Sequence, residues 1–341
     1  MKTYSVGGIA MSSRIMLGAG VCKYVPQLVP FNRPDIPIGA TVFGSLTPEP
    51  RIGNTEQPLF WPVDWDSLTQ CRFGLNSFGM NNDGIDASLK ALNSIDLVHP
   101  CIASLAAFSV DDYMALLEKV ETCKRVSGSE VNLGCGNVGH LPHAYNSDFI
   151  TRLLGQVKAA RFEGRLTKPI WLKLSPYLTR KELDIIATSH PEIDFSQTPT
   201  VEPWFFRWLL GTIIDFGCVN ALVFSNTLAN CRYFGPDGRP VTGPFEGRAG
   251  LSGPILHAIS MNLISQARGL VWNAINPPSL IHVGGNLTGD DVCTSLYGAD
   301  AVQCTSGPFW SGDGPRFFAD LIAESEKLQE YLLQEYLLAK D

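Results

Sequence analysis

The sequence has no CxxC pair, no basic excess, no low-complexity segment and no apolar stretch of about 18 residues. Each absence removes a class of protein. The nine cysteines, at positions 22, 71, 101, 123, 135, 218, 231, 293 and 304, are odd in number and widely spaced. That pattern excludes a disulfide framework, argues against a zinc site or an iron–sulfur cluster, and points to a reducing compartment. A net charge of −7 leaves no patch to neutralise a phosphate backbone, so nucleic acid is not an expected partner. Met1-Lys2-Thr3-Tyr4 lacks the apolar run of a signal peptide. With no spanning segment either, the expectation is a soluble cytoplasmic protein with no membrane partner.

What is present is material for one large core, since 45% of the 341 residues are hydrophobic and only 17% are charged. Eight short apolar runs end in small or polar residues: Arg14–Gly20, Gly39–Ser45, Cys101–Leu105, Glu130–Gly134, Ile170–Leu174, Ala221–Ser225, Leu280–Gly284 and Ala301–Thr305. Buried parallel strands run out into ligand-facing loops in this way. Helical spacing fills intervals between them at Asp111–Lys124, Asp148–Arg161, Arg180–Ala187, Leu256–Leu270 and Gly289–Tyr297, the last with Thr288 as N-cap. Pro315–Ala339 reads as outer-ring packing. The alternation predicts an α/β protein, a (β/α)8 TIM barrel occupying residues 1–341 as a single domain, with an N-terminal hairpin over Tyr4–Met11.

Three insertions interrupt the rhythm and are expected at the C-terminal face, over about 47–82, 194–217 and 229–250. The first ends in the polar loop Asn76-Ser77-Phe78-Gly79-Met80-Asn81-Asn82. The second holds Trp204-Phe205-Phe206-Arg207-Trp208-Leu209-Leu210 and reads as a lid, an oligomer contact or a buried extra helix. Its aromatics suggest a homodimer. The third reads as a mobile loop feeding a helix N-terminus at Leu251-Ser252-Gly253-Pro254.

The stretch Glu130-Val131-Asn132-Leu133-Gly134-Cys135-Gly136-Asn137 runs from a strand into a thiol with an asparagine three residues to either side. Paired amides suit a flat heterocycle whose edge alternates C=O and N–H, and a thiol beside them can move a proton. The same residues also fit a buried cysteine at a strand end with two turn-forming asparagines. Asn76, Asn132, Asn137 and Asn226 would converge on Cys135 as a recognition set for a pyrimidine-like ring, while His140 and His143 follow closely enough to tune the thiol. Lys173, inside an apolar strand, needs an anionic partner or a depressed pKa; it could stabilise charge on a flavin, form a Schiff base, or make a strand-end ion pair. Gly284-Gly285 and Thr305-Ser306, after the last two strands, with Ser252-Gly253 nearby, can cradle a phosphate-bearing cofactor.

From Met16–Gly20 through Thr47–Asn54, Asn76–Asn82, Asn132–Asn137, Lys173–Pro176, Ser225–Thr227, Gly250–Gly253 and Val283–Gly285 to Val302-Gln303, the chain resembles the dihydroorotate dehydrogenases, FMN-dependent barrel enzymes. The resemblance implies FMN as cofactor and Cys135 as the base that removes the C5 proton of dihydroorotate while hydride passes from C6 to flavin N5. It implies substrate contacts at Asn76, Phe78, Gly79, Met80, Asn132, Asn137, Asn226 and Thr227. Cofactor contacts are implied at Ala19, Gly20, Lys23, Gly44, Ser45, Asn76, Asn132, Lys173, Ser225, Ser252, Gly253, Gly284, Gly285, Thr305 and Ser306. A cysteine base is similar to the soluble class of the family.

The chain departs from the family's pattern at three places. The usual Ser-Cys-Pro-Asn is Gly134-Cys135-Gly136-Asn137, Gly44 stands where the soluble class has a lysine, and Lys23 stands where the membrane class has one. The substrate therefore reads as dihydroorotate or another dihydropyrimidine. The rival readings are a Schiff-base lyase using Lys173 and a flavin-binding protein without catalysis. The sequence leaves the electron acceptor open among fumarate, oxygen, nicotinamide and a separate electron-transfer partner.

Overall fold

In the computed structural model, which describes residues 3–60, 73–136 and 141–338, eight parallel strands close into a barrel in chain order. They are β1 (Ile15–Leu17), β2 (Thr41–Leu46), β3 (Cys101–Leu105), β4 (Val126–Asn132), β5 (Ile170–Lys173), β6 (Ala221–Phe224), β7 (Ser279–Val283) and β8 (Ala301–Cys304). Because successive side chains point to opposite faces, each strand supplies two layers. Met16, Val42, Ile102, Trp171, Val223 and Ile281 fill the interior, while Leu17, Phe43, Leu172, Leu222 and Leu280 pack outward beneath the helices. The hairpin Tyr4–Val6/Ile9–Met11 plugs the lower end with Val6, Ile9 and Met11, and Trp171 Nε1 donates to the Gly7 carbonyl at 3.0 Å.

The outer elements include α1 (Val25–Leu28), α2 (Ile85–Asn93), α3 (Val110–Thr122), α4 (Ser147–Phe162), α5 (Phe205–Phe216), α6 (Ile255–Val271), α7 (Gly289–Gly298) and α8 (Gly314–Leu338), with a further helix at Arg180–Ser189 between α4 and α5 in the chain and short turns at Pro244–Gly247 and Ser306–Trp310. Their starts follow from local chemistry. Ser109 Oγ accepts the Asp112 N–H at the head of α3, and Thr288 forms a capping box with Asp291 at the head of α7.

Two expectations change, and one choice among readings closes. The run expected to begin at Glu130 begins at Val126, because Gly128 lies where a side chain would strike the Pro169 carbonyl at 2.8 Å and Ile9 at 3.1 Å, and so carries no apolar signal. The Trp-rich segment supplies α5, which packs between α4 and α6 as a ring helix. It buries Phe205, Phe206, Leu209, Leu210 and Ile213 and leaves Trp204 60% exposed, so most of the aromatic surface invoked for a homodimer is internal. The ends of the expected loop after Asn230 belong instead to strands of a second, antiparallel sheet, in the order Ile193–Asp194, Leu228–Tyr233, Ala249–Ser252, Gly74–Asn76, Leu59–Phe60, and residues 234–248 connect two of them. Leu59, Asn76 and Ser252 of this sheet line a cavity over the C-terminal strand ends. Among the described residues, no helix is long and apolar enough to cross a membrane.

Candidate active site

That cavity collects nearly every residue singled out from the sequence. Ala19, Gly20, Lys23, Ser45, Asn76, Phe78, Gly79, Met80, Asn132, Cys135, Lys173, Ser225, Asn226, Thr227, Ser252, Gly253, Gly284, Gly285, Thr305 and Ser306 all line it. Gly44 does not: its N–H donates to Cys22 O and its carbonyl accepts from Gly20, so its backbone secures the loop behind the lining. Asn137 and His140 lie outside the described residues. His143 is turned away, stacked on Phe149 at 4.0 Å between ring centroids.

Two of the amides, Asn132 and Asn226, are connected, while Asn76 donates to the Gly250 carbonyl. Asn132 donates from Nδ2 to Ser45 Oγ at 2.8 Å, and its Oδ1 accepts from Asn226 Nδ2 at 2.8 Å. Tyr113, buried below, donates its hydroxyl to the Asn132 carbonyl at 2.7 Å and so fixes the end of β4. The glycines flanking the thiol now have a reason. A Cβ at Gly134 would meet the Asn226 Cβ at 2.7 Å, and one at Gly136 would meet the Ala229 Cβ at 2.9 Å.

Of the eight described cysteines, Cys135 is the one that is not buried. Burial pushes the Cys22, Cys101 and Cys231 thiols up to about 12, which keeps them protonated and unreactive. Lys23 lies at the rim, 8% exposed, with Nζ bonded to Asn81 Oδ1 and set 4.5 Å above the Phe78 ring. Burial pulls its pKa down to about 8, and negative charge on Cys135 opposes that pull. The two groups therefore sense each other.

Lys173 is 5% exposed and has the anionic partner its position demands: Glu130 Oε1 lies 3.8 Å from Nζ. Gln303 Nε2 donates to Glu130 Oε2 at 2.7 Å. Neither Glu130 nor Gln303 was singled out from the sequence as a site residue, although a polar residue at the inward position of Ala301-Val302-Gln303-Cys304 carries the same signal as Lys173. Phe309 and Trp310, which also line the cavity, had no local signal.

At the other end the lining is backbone. Gly253 (φ +98), Gly284 (φ +129) and Gly285 (φ +71) adopt left-handed conformations, and a Cβ at each would meet Trp310, Leu256 or His257 at 2.9 Å. Only glycine lets the β7 loop approach the N-terminus of α6 this closely, and that terminus favours anions. A bare cradle at one end, hydroxyls at Thr305 and Ser306, and an ammonium with an unpaired amide oxygen on the floor together fit a phosphate-bearing, flat-ring cofactor such as FMN.

The profile of the family described as dihydroorotate dehydrogenase matches residues 1–199. The chain is 27% identical over 314 residues to the catalytic subunit of dihydroorotate dehydrogenase B (NAD(+)) from Geobacillus kaustophilus, covering 89% of this chain and 83% of that protein. It is also 27% identical over 331 residues to dihydroorotate dehydrogenase A (fumarate) from Lactiplantibacillus plantarum, covering 94% and 91%. A crystal structure of DHODH from Eimeria tenella in complex with ferulenol superposes with a TM-score of 0.70 over 97% of this chain and 85% of that one, at 17% identity, which bears on the fold. The chain belongs to the dihydroorotate dehydrogenase family of FMN-dependent oxidoreductases.

Proposed function

We propose that the chain oxidises dihydroorotate to orotate, with Cys135 Sγ taking the C5 proton. FMN, when bound, supplies the two-electron acceptor for the hydride that leaves C6. The chain's own residues do the rest. Asn76, Asn132, Asn226 and Thr227, with Asn137, hold the pyrimidine ring by its alternating C=O and N–H edge. Asn132 and Asn226 are already bonded to each other, so they meet the ring without first having to be ordered. Ala19, Gly20, Lys23, Ser45, Ser225, Ser252, Gly253, Gly284, Gly285, Thr305 and Ser306 form the cofactor's surroundings, with Gly44 holding the loop behind them and the glycine cradle toward the phosphate. Lys173 places positive charge where negative charge develops in the ring system. Lys23 holds Cys135 toward its proton-accepting form.

The observation that carries this reading is the partly exposed thiol of Cys135 in one cavity with Asn76, Asn132, Asn226 and the glycine cradle. The ion pair with Glu130 argues against Lys173 as a Schiff-base nucleophile, which would have to be uncharged. The test is the anaerobic visible spectrum before and after addition of dihydroorotate. Bleaching of a flavin band is expected in the wild type. A Cys135→Ala variant should stay yellow and lose reduction on the order of 10²–10⁴-fold. Reduction at the wild-type rate in that variant would remove the assigned role, and a wild type that another dihydropyrimidine bleaches instead would move the substrate. Relatives are named for NAD(+), as a catalytic subunit, and for fumarate. Re-oxidation with fumarate alone, or with NAD+ only when a second subunit is added, assigns the acceptor, and sizing of the same preparation tests the homodimer.

A further inference from the structure

β4 and β8 stand opposite each other in the eight-stranded barrel, four places apart either way round. The hydrogen bond from Gln303 Nε2 to Glu130 Oε2 therefore spans the barrel interior, and both residues are 0% exposed. Below them the interior is apolar, with Met16, Trp171 and Ile281 among its members. A buried polar brace of this kind is a poor stabiliser, because an apolar pair of equal volume would fill the space without desolvating charge. Its use lies elsewhere.

Two acceptors in the brace lack a hydrogen-bond partner, Glu130 Oε1 and Gln303 Oε1. The first is compensated by the Lys173 ammonium at 3.8 Å. The second is uncompensated, and Gln303, unlike Glu130, lines the cavity. The amide cannot turn round, since its carbonyl would then face a carboxylate oxygen at 2.7 Å, acceptor against acceptor. Glu130 thus fixes which end of the Gln303 amide is the unmet acceptor, while holding the Lys173 ammonium as a donor on its own other oxygen. An acceptor next to a donor complements a ring edge in which an imide N–H adjoins a C=O. Leaving a buried acceptor unmet costs more than a made bond returns, so such a group is poised for a ligand.

We propose that Glu130 is a positioning residue that fixes Gln303, and that Gln303 Oε1 accepts the imide N–H of the bound ring. This rests on the functional reading above, and both flavin and pyrimidine rings carry such a group. The test compares FMN with N3-methyl-FMN on apo-protein, and orotate with its N3-methyl derivative on the FMN-loaded protein, by titration. The wild type should bind one parent ring about tenfold more tightly than its methylated form, and Gln303→Met should bind the two within about twofold. The pair whose discrimination collapses names the ring. Discrimination unchanged in Gln303→Met for both pairs overturns the assignment to Gln303.

If Gln303→Met does not fold, two further variants decide. Glu130→Gln keeps a bond across the barrel but frees the amide to turn, and should lose part of the discrimination. The swap Glu130→Gln with Gln303→Glu restores a one-way bond and an acceptor at position 303, and should recover it. Full discrimination in Glu130→Gln, or none in the swap, overturns the proposal. A wild type that binds flavin and orotate without discriminating either methylated form defeats this inference and leaves the functional reading standing; a wild type that binds neither ring defeats both.

Discussion

The lower and upper halves of the barrel interior are built from the same strands and differ in kind. On β5, Trp171 fills the floor and Lys173, two residues on, reaches the mouth; on β8, Ala301 and Gln303 make the same step. The floor is apolar and plugged by the hairpin, with Trp171 Nε1 bonded to the Gly7 carbonyl and the Gly7 N–H to Ser279 Oγ. The mouth keeps a lysine, a glutamate and a glutamine under cover with acceptors left unmet. Native cores rarely tolerate that, so the contrast separates residues that hold the barrel together from residues kept at a cost for a ligand.

The strongest way to break the comparison is Trp171→Ala. Removing the largest floor side chain should lower stability by about 3–5 kcal/mol, measured by denaturant unfolding, while FMN affinity stays within about twofold. A parallel loss of affinity would mean that the two halves are not separable.

A smaller effect tests whether buried polar groups away from the cavity behave differently. His282, on β7, points outward and is 0% exposed, with Nδ1 3.0 Å from both Asn286 Nδ2 and Ser295 Oγ. Burial, aided by neighbouring His257, lowers its pKa from 6.5 to about 3. The unfolded chain takes up this proton near pH 6.5 and the folded chain only near pH 3, so the stability contribution is complete above 6.5 and is lost as pH falls. The expected slope is up to roughly 1.4 kcal/mol per pH unit across that window. His282→Gln should lie lower at neutral pH and lack this slope; an unchanged slope would reassign the acid sensitivity.

The smallest effect sharpens the cost of the rim. Lys23 has its pKa lowered from 10.5 to about 8, mainly by burial. Its stability contribution is present above 10.5, is lost as pH falls through 8, and stays lost below that. Relative to Lys23→Met, the wild type should gain on the order of 2–3 kcal/mol between pH 8 and 10.5. The lost bond to Asn81 shifts the two curves against each other but does not change this slope. Parallel curves would show that the ammonium is solvated in the folded protein.

Much of this was legible in the sequence. Apolar runs ending in small residues marked all eight barrel strands in order, since burial on both faces leaves a continuous record. Thr288 before α7 and the thiol between two asparagines were equally plain. The second sheet was not, because strands as short as Ile193–Asp194 and Leu59–Phe60 carry no period of their own and exist through their pairing. The Trp-rich segment stayed open among a lid, an oligomer contact and a buried helix, because a helix apolar on most of its surface looks the same in sequence whether it covers a neighbour or is covered by one.

The sequence by itself determined the order of strands, the candidate thiol, the amides and the glycines, all of which are local consequences of composition and spacing. Only the tertiary structure decided which of them meet. Closure of the barrel sets Glu130 against Gln303 across 173 positions, places Asn226 in the space left by Gly134, and brings the Lys23 loop into the field of Cys135. Periodicity records which face of a strand is buried, whereas the partner on the opposite wall depends on the closure and stagger of the whole sheet.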